Sequence, residues 1–261
     1  MKRTYVKLLT VAGLTGCFLF TSCRSAQETT ARYEISKVEG NMITIDSTWD
    51  ANPDKKATTV LKPYKDKVDA MMYEVIGTSE MKMDKGTPES LLSNLVASVL
   101  QEAAAQVLGK PADMGLVNMG GLRNILPKGD ITVGAVFEIL PFENSLCVLT
   151  MKGTDMKRLF KAIASLHGEG VSGIRLEINK KGELLNVTIG GKPVVDDQLY
   201  TVATIDYLAD GNGRMDAFLQ AEKRECPEDA TLRGLFLDYV RKQTAEGKII
   251  TSKLDGRITV K

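Results

Sequence analysis

The segment from Leu116 to Gly153 reads LVNMGGLRNILPKGDITVGAVFEILPFENSLCVLTMKG and carries the most informative pattern in the chain. The short apolar run from Met114 to Val117 predicts a buried strand, which leads into a turn at Gly120 and Gly121. Arg123 follows this turn. Two glycines let the backbone approach a bound anion, and a guanidinium can hold phosphate or carboxylate with two hydrogen bonds. From spacing alone, a glycine turn beside a surface arginine is the simpler interpretation.

A second turn lies in the same segment, at Pro141 and Phe142. Asn144 follows it and is a candidate polar ligand. For the ring of Phe142, core packing is the favoured interpretation from physics alone. The apolar residues on either side of the turn, Val133 to Leu140 and Ser145 to Met151, predict two strands.

Outside this segment, strands and helices alternate irregularly. The pattern predicts a hairpin at Tyr33–Ser47, helices at Pro63–Ile76, Pro88–Leu108 (capped by Thr87), Thr154–Leu166 and Thr231–Lys242, strands at Ile174–Ile178, Leu185–Ile189 and Tyr200–Thr204, and a last strand ending at Val260. Because these elements do not follow a strict βαβ order, we expect layered α/β packing rather than a doubly wound sheet.

The N-terminus reads as a bacterial export signal. Basic residues precede an uncharged apolar run, Leu8–Phe20, which is too short to span a bilayer comfortably. Both Cys17 and Cys23 close lipobox-like patterns. We favour lipidation at Cys23, because acylation at Cys17 would leave Phe18-Leu19-Phe20 in the mature chain. Simple secretion and an uncleaved anchor remain alternatives.

This interpretation divides the chain into a signal (1–22), a polar tether (23–32) and one domain (33–261). Removing residues 1–22 takes away three basic and no acidic residues, so the formal net charge moves from +1 to −2. A near-neutral domain without basic and aromatic clusters argues against nucleic acid as a partner. We expect an exported protein that is lipid-anchored in the cell envelope.

Several kinds of catalytic site are excluded by what the sequence lacks. It contains no Walker loop, no Gly-x-Ser-x-Gly elbow and a single histidine, His167, which we place in a loop near a helix end. One histidine is too few for a dimetal phosphoesterase. The run Gly168–Gly173 matches a dinucleotide fingerprint in letters only, because it follows a helix and precedes a strand. We interpret it as a flexible loop.

Cys147 and Cys226 are the cysteines that remain after the signal. Cys147 lies in an apolar run and Cys226 in a polar one. We expect one core and one surface cysteine, and consider a disulfide between them possible but the less favoured interpretation. With one histidine they cannot form a Cys/His zinc cluster.

The turn sequence also carries a resemblance. Asn118-Met119-Gly120-Gly121-Leu122-Arg123 resembles the Asn-Gly-Gly-Gly-Ile-Arg signature of the 5′-nucleotidase and UDP-sugar hydrolase family. Upstream of this turn, the helix opening at Glu89–Leu95 is similar to that of the family. Downstream, the similarity continues in the family's order through Pro127–Thr132, Pro141–Asn144, Leu149–Gly153, the strand at Tyr200–Ala209 and the closing strand at Asp255–Ile258.

The resemblance implies a four-layer α/β/β/α domain of the 5′-nucleotidase C-terminal type, which binds the substrate. In the family a separate N-terminal metallophosphoesterase domain carries two metals. Arg123 would hold the anionic group of the substrate, Asn118, Gly120 and Gly121 would shape the turn, and Asn144 would add a polar contact. Phe142 belongs to the same expected substrate site.

Family members are expected to hold a base between two rings, one from the loop after the helix near Leu166 and one from the glycine-rich loop after the Tyr200 strand. Here His167–Gly173 contains no aromatic residue, and Met215 occupies the second ring position. We therefore expect Met215 at the substrate site in place of a ring.

Together these features predict the substrate-binding component of a split 5′-nucleotidase-like system. It would bind a nucleotide or another phosphorylated small molecule for a separately encoded metallophosphoesterase. The chain itself is expected to hold no cofactor and not to be catalytic alone, with divalent metals in the partner. The alternative is a stand-alone cell-surface binding or interaction protein with a degenerate nucleotide pocket.

Overall fold

The computed structural model describes residues 34–261, so the export signal, Cys17, Cys23 and the tether fall outside the described residues. Contacts divide the chain after Asp54 into two units. In residues 34–54 the structure has one short 3₁₀ helix, Ser47–Ala51, whose first turn is capped by the carboxylate of Asp46. The strands predicted for Tyr33–Ser47 are not formed in this part of the chain. A two-stranded hairpin needs a further strand or helix to cover its apolar face, and Met42 and Ile45 are exposed.

The second unit, Lys55–Lys261, contains the helices and strands. Its α-helices are α1 (Lys55–Met72), α2 (Leu91–Ala103), α3 (Ala105–Leu108), α4 (Val133–Ile139), α5 (Gly153–Ser165), α6 (Asp206–Ala209) and α7 (Leu232–Ala245). Its strands are β1 (Val75–Ser79), β2 (Met114–Val117), β3 (Gly129–Thr132), β4 (Leu146–Lys152), β5 (Gly170–Ser172), β6 (Ile174–Ile178), β7 (Leu184–Ile189), β8 (Lys192–Pro193), β9 (Leu199–Ile205), β10 (Lys223–Glu225) and β11 (Ile258–Val260).

The strands form three sheets. A five-stranded sheet has the order β10-β4-β9-β2-β5, a four-stranded sheet has the order β11-β6-β7-β8, and β1 pairs with β3. Helix α2 packs on β2, β5 and β9, while α5 contacts strands of both larger sheets. Helix α7 packs against α2 and β1. This mixed, layered α/β architecture confirms the expected fold class.

The core explains why α2 is so apolar. Its side chains Leu92, Val96 and Leu100 are fully buried against the five-stranded sheet. The stretch Leu91–Leu108 is long and apolar enough to cross a membrane by composition, but half of it is buried inside the domain. It is therefore the core helix of this unit. Ser90, rather than the predicted Thr87, caps it by accepting from the backbone N–H of Ser93.

Three local predictions were wrong. The predicted strand Val133–Leu140 is helix α4, because Thr132 caps it through the N–H of Ala135 and its buried residues recur every three positions. Gly168–Gly173 is not a flexible loop, since it contains β5, buried beside β2. The first helix runs from Lys55 to Met72 instead of from Pro63 to Ile76, and Val75 and Ile76 belong to β1.

Cys147 is buried and Cys226 is exposed, as expected, but the two form a disulfide, which was the less favoured interpretation. Strand β10 runs antiparallel to β4 and pairs Glu225 with Val148, so the next position along the ladder places the two cysteines opposite each other. Their Cα atoms are 4.2 Å apart. The two cysteines are 79 residues apart in the sequence, and only the pairing of β10 with β4 brings them together. The sequence pattern therefore did not predict their contact.

Candidate functional site

A cavity of about 360 Å³ lies where two loops and the short helix α6 of the second unit meet. It is lined by Asn118, Gly120, Gly121, Phe142, Asn144 and Tyr207. The first three residues follow β2, the next two follow α4, and Tyr207 belongs to α6 after β9. Five of the seven residues predicted from the sequence are thus brought together. Arg123 and Met215 are not among the lining residues.

Asn118 organises the glycine turn. The backbone N–H of Gly121 donates to the carbonyl of Asn118 at 3.0 Å, which closes a 3₁₀ turn over Met119–Gly121. The Asn118 side chain lies close under this turn, because a Cβ on Gly121 would sit 3.0 Å from its Oδ1. That Oδ1 is buried and has no hydrogen-bond partner. Since buried acceptors are normally paired, this oxygen is suited to accept from a bound ligand.

Glu169 supports the turn from behind. Its carboxylate accepts from the backbone N–H of Met119. Burial raises the pKa of Glu169, and the hydrogen bond to Met119 offsets part of that rise. Sequence reasoning missed this residue because it lies in Gly168–Gly173, where only a letter match to a nucleotide motif stood out. Nothing in the local spacing indicated a contact 50 positions away.

Two cations hold carbonyls of the same turn. Arg123 is exposed, and its Nη1 donates to the carbonyl of Gly120 at 3.3 Å. Lys85 donates through Nζ to the carbonyl of Leu122. The loop of Lys85 is fixed there because Met83 and Leu126 exchange backbone hydrogen bonds of 2.8 and 2.9 Å. Within residues 34–261 neither cation has a carboxylate partner, so both charges remain available to an anion.

The aromatic lining differs from the sequence-based expectation. Phe142 is 49% exposed and Tyr207 is 44% exposed, so both rings present a large face. Met215, predicted at the ring position, is fully buried in the hydrophobic core, as is Phe218 nearby. The cavity therefore has two aromatic residues, Phe142 in the loop after α4 and Tyr207 on α6. Tyr207 follows the recognised β9 strand directly, and that position was the signal available in the sequence.

Asp206 connects helix α6 to the loop that carries Phe142 and Asn144. Its Oδ1 accepts from the amide Nδ2 of Asn144 at 2.8 Å and from the backbone N–H of Tyr207 at 2.7 Å. Asn144 is also held through its carbonyl, which accepts from the N–H of Leu232 at 2.8 Å. The side chain of Asn144 thus positions the loops as well as lining the cavity.

His167 lies just after α5 in a left-handed backbone conformation, with φ of 60°, as expected for a residue at a helix end. In the described part of the chain, no three His, Cys, Asp or Glu side chains are grouped so that they could hold a metal ion. The cavity itself offers two aromatic surfaces and polar groups, and the two cations lie beside it on carbonyls of the glycine turn.

Comparison with known families gives one match of more than half the chain. The model described as "5'-nucleotidase, C-terminal domain" matches residues 75–220. Among curated proteins, the chain is 27% identical over 238 residues to the trifunctional nucleotide phosphoesterase protein YfkN of Bacillus subtilis, covering 84% of this chain and 16% of that protein. It is 27% identical over 240 residues to cell wall protein Lmo0130 of Listeria monocytogenes, covering 81% and 30% respectively.

Solved structures agree with this match. The 5′-nucleotidase precursor of Thermus thermophilus superposes with a TM-score of 0.67 and 27% identity, covering 81% of this chain and 44% of that one. The NAD nucleotidase of Haemophilus influenzae shares the fold, with a TM-score of 0.59 and 20% identity, covering 79% and 41%. The chain spans less than half the length of each of these four proteins.

Proposed function

The chain belongs to the 5′-nucleotidase C-terminal domain family, and from this premise we propose that it is the substrate-binding component of a split 5′-nucleotidase-like system. It binds a nucleotide or a similar phosphorylated small molecule and presents it to a separately encoded metallophosphoesterase. The observation that carries the proposal is the cavity at Asn118, which is lined by two aromatic residues and an unpaired buried acceptor, with two cations on carbonyls of the adjoining turn.

Phe142 and Tyr207 provide the surface for a base. Each exposed ring can stack on a planar heterocycle, and such contacts are worth about 1–3 kcal/mol per base. The unpaired Oδ1 of Asn118 accepts a hydrogen bond from an amine or hydroxyl of the ligand, which removes an unsatisfied buried acceptor. These contacts favour a nucleotide-like ligand over a simple phosphate ester.

Arg123 holds the anionic group. Its guanidinium is exposed, and the 3.3 Å contact with the Gly120 carbonyl uses one of its donors. The remaining donors can form a bidentate contact with a phosphate. Lys85, on the carbonyl of the adjoining Leu122, adds a second positive charge. Fixed in this way, the phosphate is oriented for the metals of the partner, so that attack becomes effectively intramolecular.

An envelope location fits the same proposal. The Cys147–Cys226 disulfide is typical of an oxidising compartment, and one relative is named a cell wall protein. We propose export followed by lipidation at Cys23. Metabolic labelling with a palmitate analogue tests this: Cys23→Ala is expected to lose the label while Cys17→Ala keeps it. If Cys17→Ala loses the label and Cys23→Ala keeps it, the lipid is on Cys17. If neither variant is labelled, simple secretion or an uncleaved anchor is favoured.

The functional test measures phosphate release from AMP with Mn²⁺. The mature chain alone, an exported metallophosphoesterase of the same genome that lacks its own C-terminal domain, and the mixture are compared. Release by the mixture well above the sum of the two separate reactions is expected. Release by the chain alone would overturn the proposal. Binding of AMP without stimulation of any such enzyme would favour the alternative, a stand-alone binding protein.

A further inference from the structure

Helix α1 (Lys55–Met72) is unusual because none of its 18 residues is buried. Isolated helices of this length are only marginally stable in water, and helices in proteins normally gain stability by packing an apolar face. Such a face is present. Val60, Leu61, Tyr64, Val68 and Met71 recur at spacings of one, three or four residues and are 46–70% exposed. We refer to these five residues as the α1 stripe.

The α1 stripe is not the side that contacts the domain. The helix meets the rest of its unit at its last turn, where Met72 is half-buried and its carbonyl lies 3.0 Å from where a Cβ of Gly134 would be. Next to this contact is a groove of about 460 Å³, lined in part by Tyr73 and Phe137. The five large side chains of the stripe are 46–70% exposed, and a contiguous apolar patch on a protein surface is often functional.

We propose that the α1 stripe is the docking surface for the metallophosphoesterase. This inference rests on the proposed function and adds to it the face through which the two proteins assemble. The occupant is a protein surface with a complementary apolar groove, and Lys65, paired with Asp69 of the same helix, lies at the polar border of the stripe. An apolar centre with a polar border is the usual organisation of a protein interface.

The comparisons point to this occupant. Helix α1 ends at Met72, and the family match begins at residue 75. Residues 75–261 are 187 of 261 residues, about 72% of the chain, so a structural match covering 81% must extend upstream into the α1 region. The match covers 44% of the Thermus 5′-nucleotidase, so 56% of that chain lies outside it. Helix α1 thus lies immediately before the family match and in the region that the structural match reaches.

The unit before Asp54 gives an independent indication. Ile35, Val38, Met42 and Ile45 are all exposed, in a segment that was predicted as a hairpin and forms no strand within residues 34–54. A segment of this kind gains hydrogen bonds and burial by adding to the sheet edge of another protein. It therefore also fits a chain that is completed by a protein partner.

Photocrosslinking in the native envelope tests the proposal directly. The full chain carries Tyr64→p-benzoylphenylalanine on the stripe, with Asp66→p-benzoylphenylalanine as the control on the opposite side of the same helix. An adduct with the metallophosphoesterase from position 64, and much less from position 66, is expected. Adducts with a second copy of this chain, with its own residues or with lipid, or no adduct at position 64, would overturn the proposal.

Matched charge variants separate this proposal from the proposed function. Leu61→Asp/Val68→Asp places two carboxylates on the stripe, and Thr59→Asp/Ala70→Asp places two on the opposite side. The stripe variant is expected to need at least ten times more partner for half-maximal phosphate release, while the control and AMP binding by the chain alone are unchanged. If both variants change the amount of partner needed by an active mixture equally, the docking proposal is overturned and the proposed function stands. If no metallophosphoesterase is ever stimulated, the proposed function fails and docking fails with it.

Discussion

The glycine turn at Asn118–Arg123 and helix α1 are held in different ways. The turn is fixed from several directions: Glu169 holds Met119, Lys85 holds the Leu122 carbonyl, and Ile139 accepts from the N–H of Arg123. Helix α1 contacts its unit at its last turn, where Met72 lies against Gly134. The contrast indicates that the candidate site is fixed by contacts inside the second unit, whereas within residues 55–261 the apolar face of α1 is not covered.

The largest expected difference between these regions is in stability. Leu122 is fully buried beside the glycine turn, while Leu61 on the α1 stripe is 60% exposed. Leu122→Ala is expected to lower the free energy of unfolding by about 2–5 kcal/mol through lost burial and a cavity. Leu61→Ala should change it by less than about 0.5 kcal/mol. Urea denaturation followed by circular dichroism measures both, and similar losses would show that α1 packs within the chain.

The disulfide at the edge of the five-stranded sheet is expected to stabilise the same unit that holds the glycine turn. Joining Cys147 and Cys226 ties β10 to β4, the strand that follows Asn144. The double variant Cys147→Ala/Cys226→Ala is expected to lose about 2–4 kcal/mol of stability. Dithiothreitol should destabilise the wild type to a similar extent and leave the double variant unchanged. A wild type that is insensitive to the reductant while its free thiols become titratable would contradict this role.

The two exposed tyrosines give a matched test of binding. Tyr207→Ala removes a cavity ring, and we expect AMP affinity to fall about 5- to 150-fold, the equivalent of 1–3 kcal/mol of stacking. Tyr64→Ala, on the α1 stripe, should leave AMP affinity unchanged. Isothermal calorimetry with metal-free protein provides the comparison. Loss of affinity in both variants, or in neither, would remove the assignment of Tyr207 to the ligand site.

The smallest expected effect is the pH dependence at Glu169. Burial raises its pKa above the ordinary 4.5, so the folded state binds the proton more tightly than the unfolded state. Its contribution to stability is full below pH 4.5 and is lost as the pH rises through the folded-state pKa. Glu169→Gln keeps an acceptor for Met119, so its stability relative to the wild type should rise over this range. If the difference in stability between the variant and the wild type does not change with pH, the raised pKa of Glu169 is contradicted.

Local patterns predicted much of the fold. Helix α5 and strands β4, β6, β7 and β9 lie within one or two residues of their predicted positions, because each has a clear period and a defined end. The segment Val133–Ile139 was misjudged because a run of apolar residues fits a buried strand or a buried helix, and only the cap at Thr132 distinguishes them. The hairpin at Tyr33–Ser47 has the right alternation but no sheet to join within residues 34–54.

The candidate site could be predicted only in part. Asn118, Gly120, Gly121, Phe142 and Asn144 come from contiguous motifs, and the fold brings them to one cavity. Glu169 and Lys85 reach the same place through tertiary contacts that no spacing reveals, whereas Tyr207 was indicated only by its position after the β9 strand. Met215 was misplaced because its position in a glycine-rich loop says nothing about burial, and its side chain turns into the core.

The central claim is that this cavity binds a phosphorylated nucleotide through Arg123. Calorimetric titration of AMP into the metal-free mature chain, and into Arg123→Ala, tests it most directly. We predict saturable binding with one site per chain and a loss of about 10- to 150-fold in the variant, because a charged hydrogen bond contributes about 1.5–3 kcal/mol. Absence of binding to the wild type, or equal affinity of the two proteins, would contradict the claim.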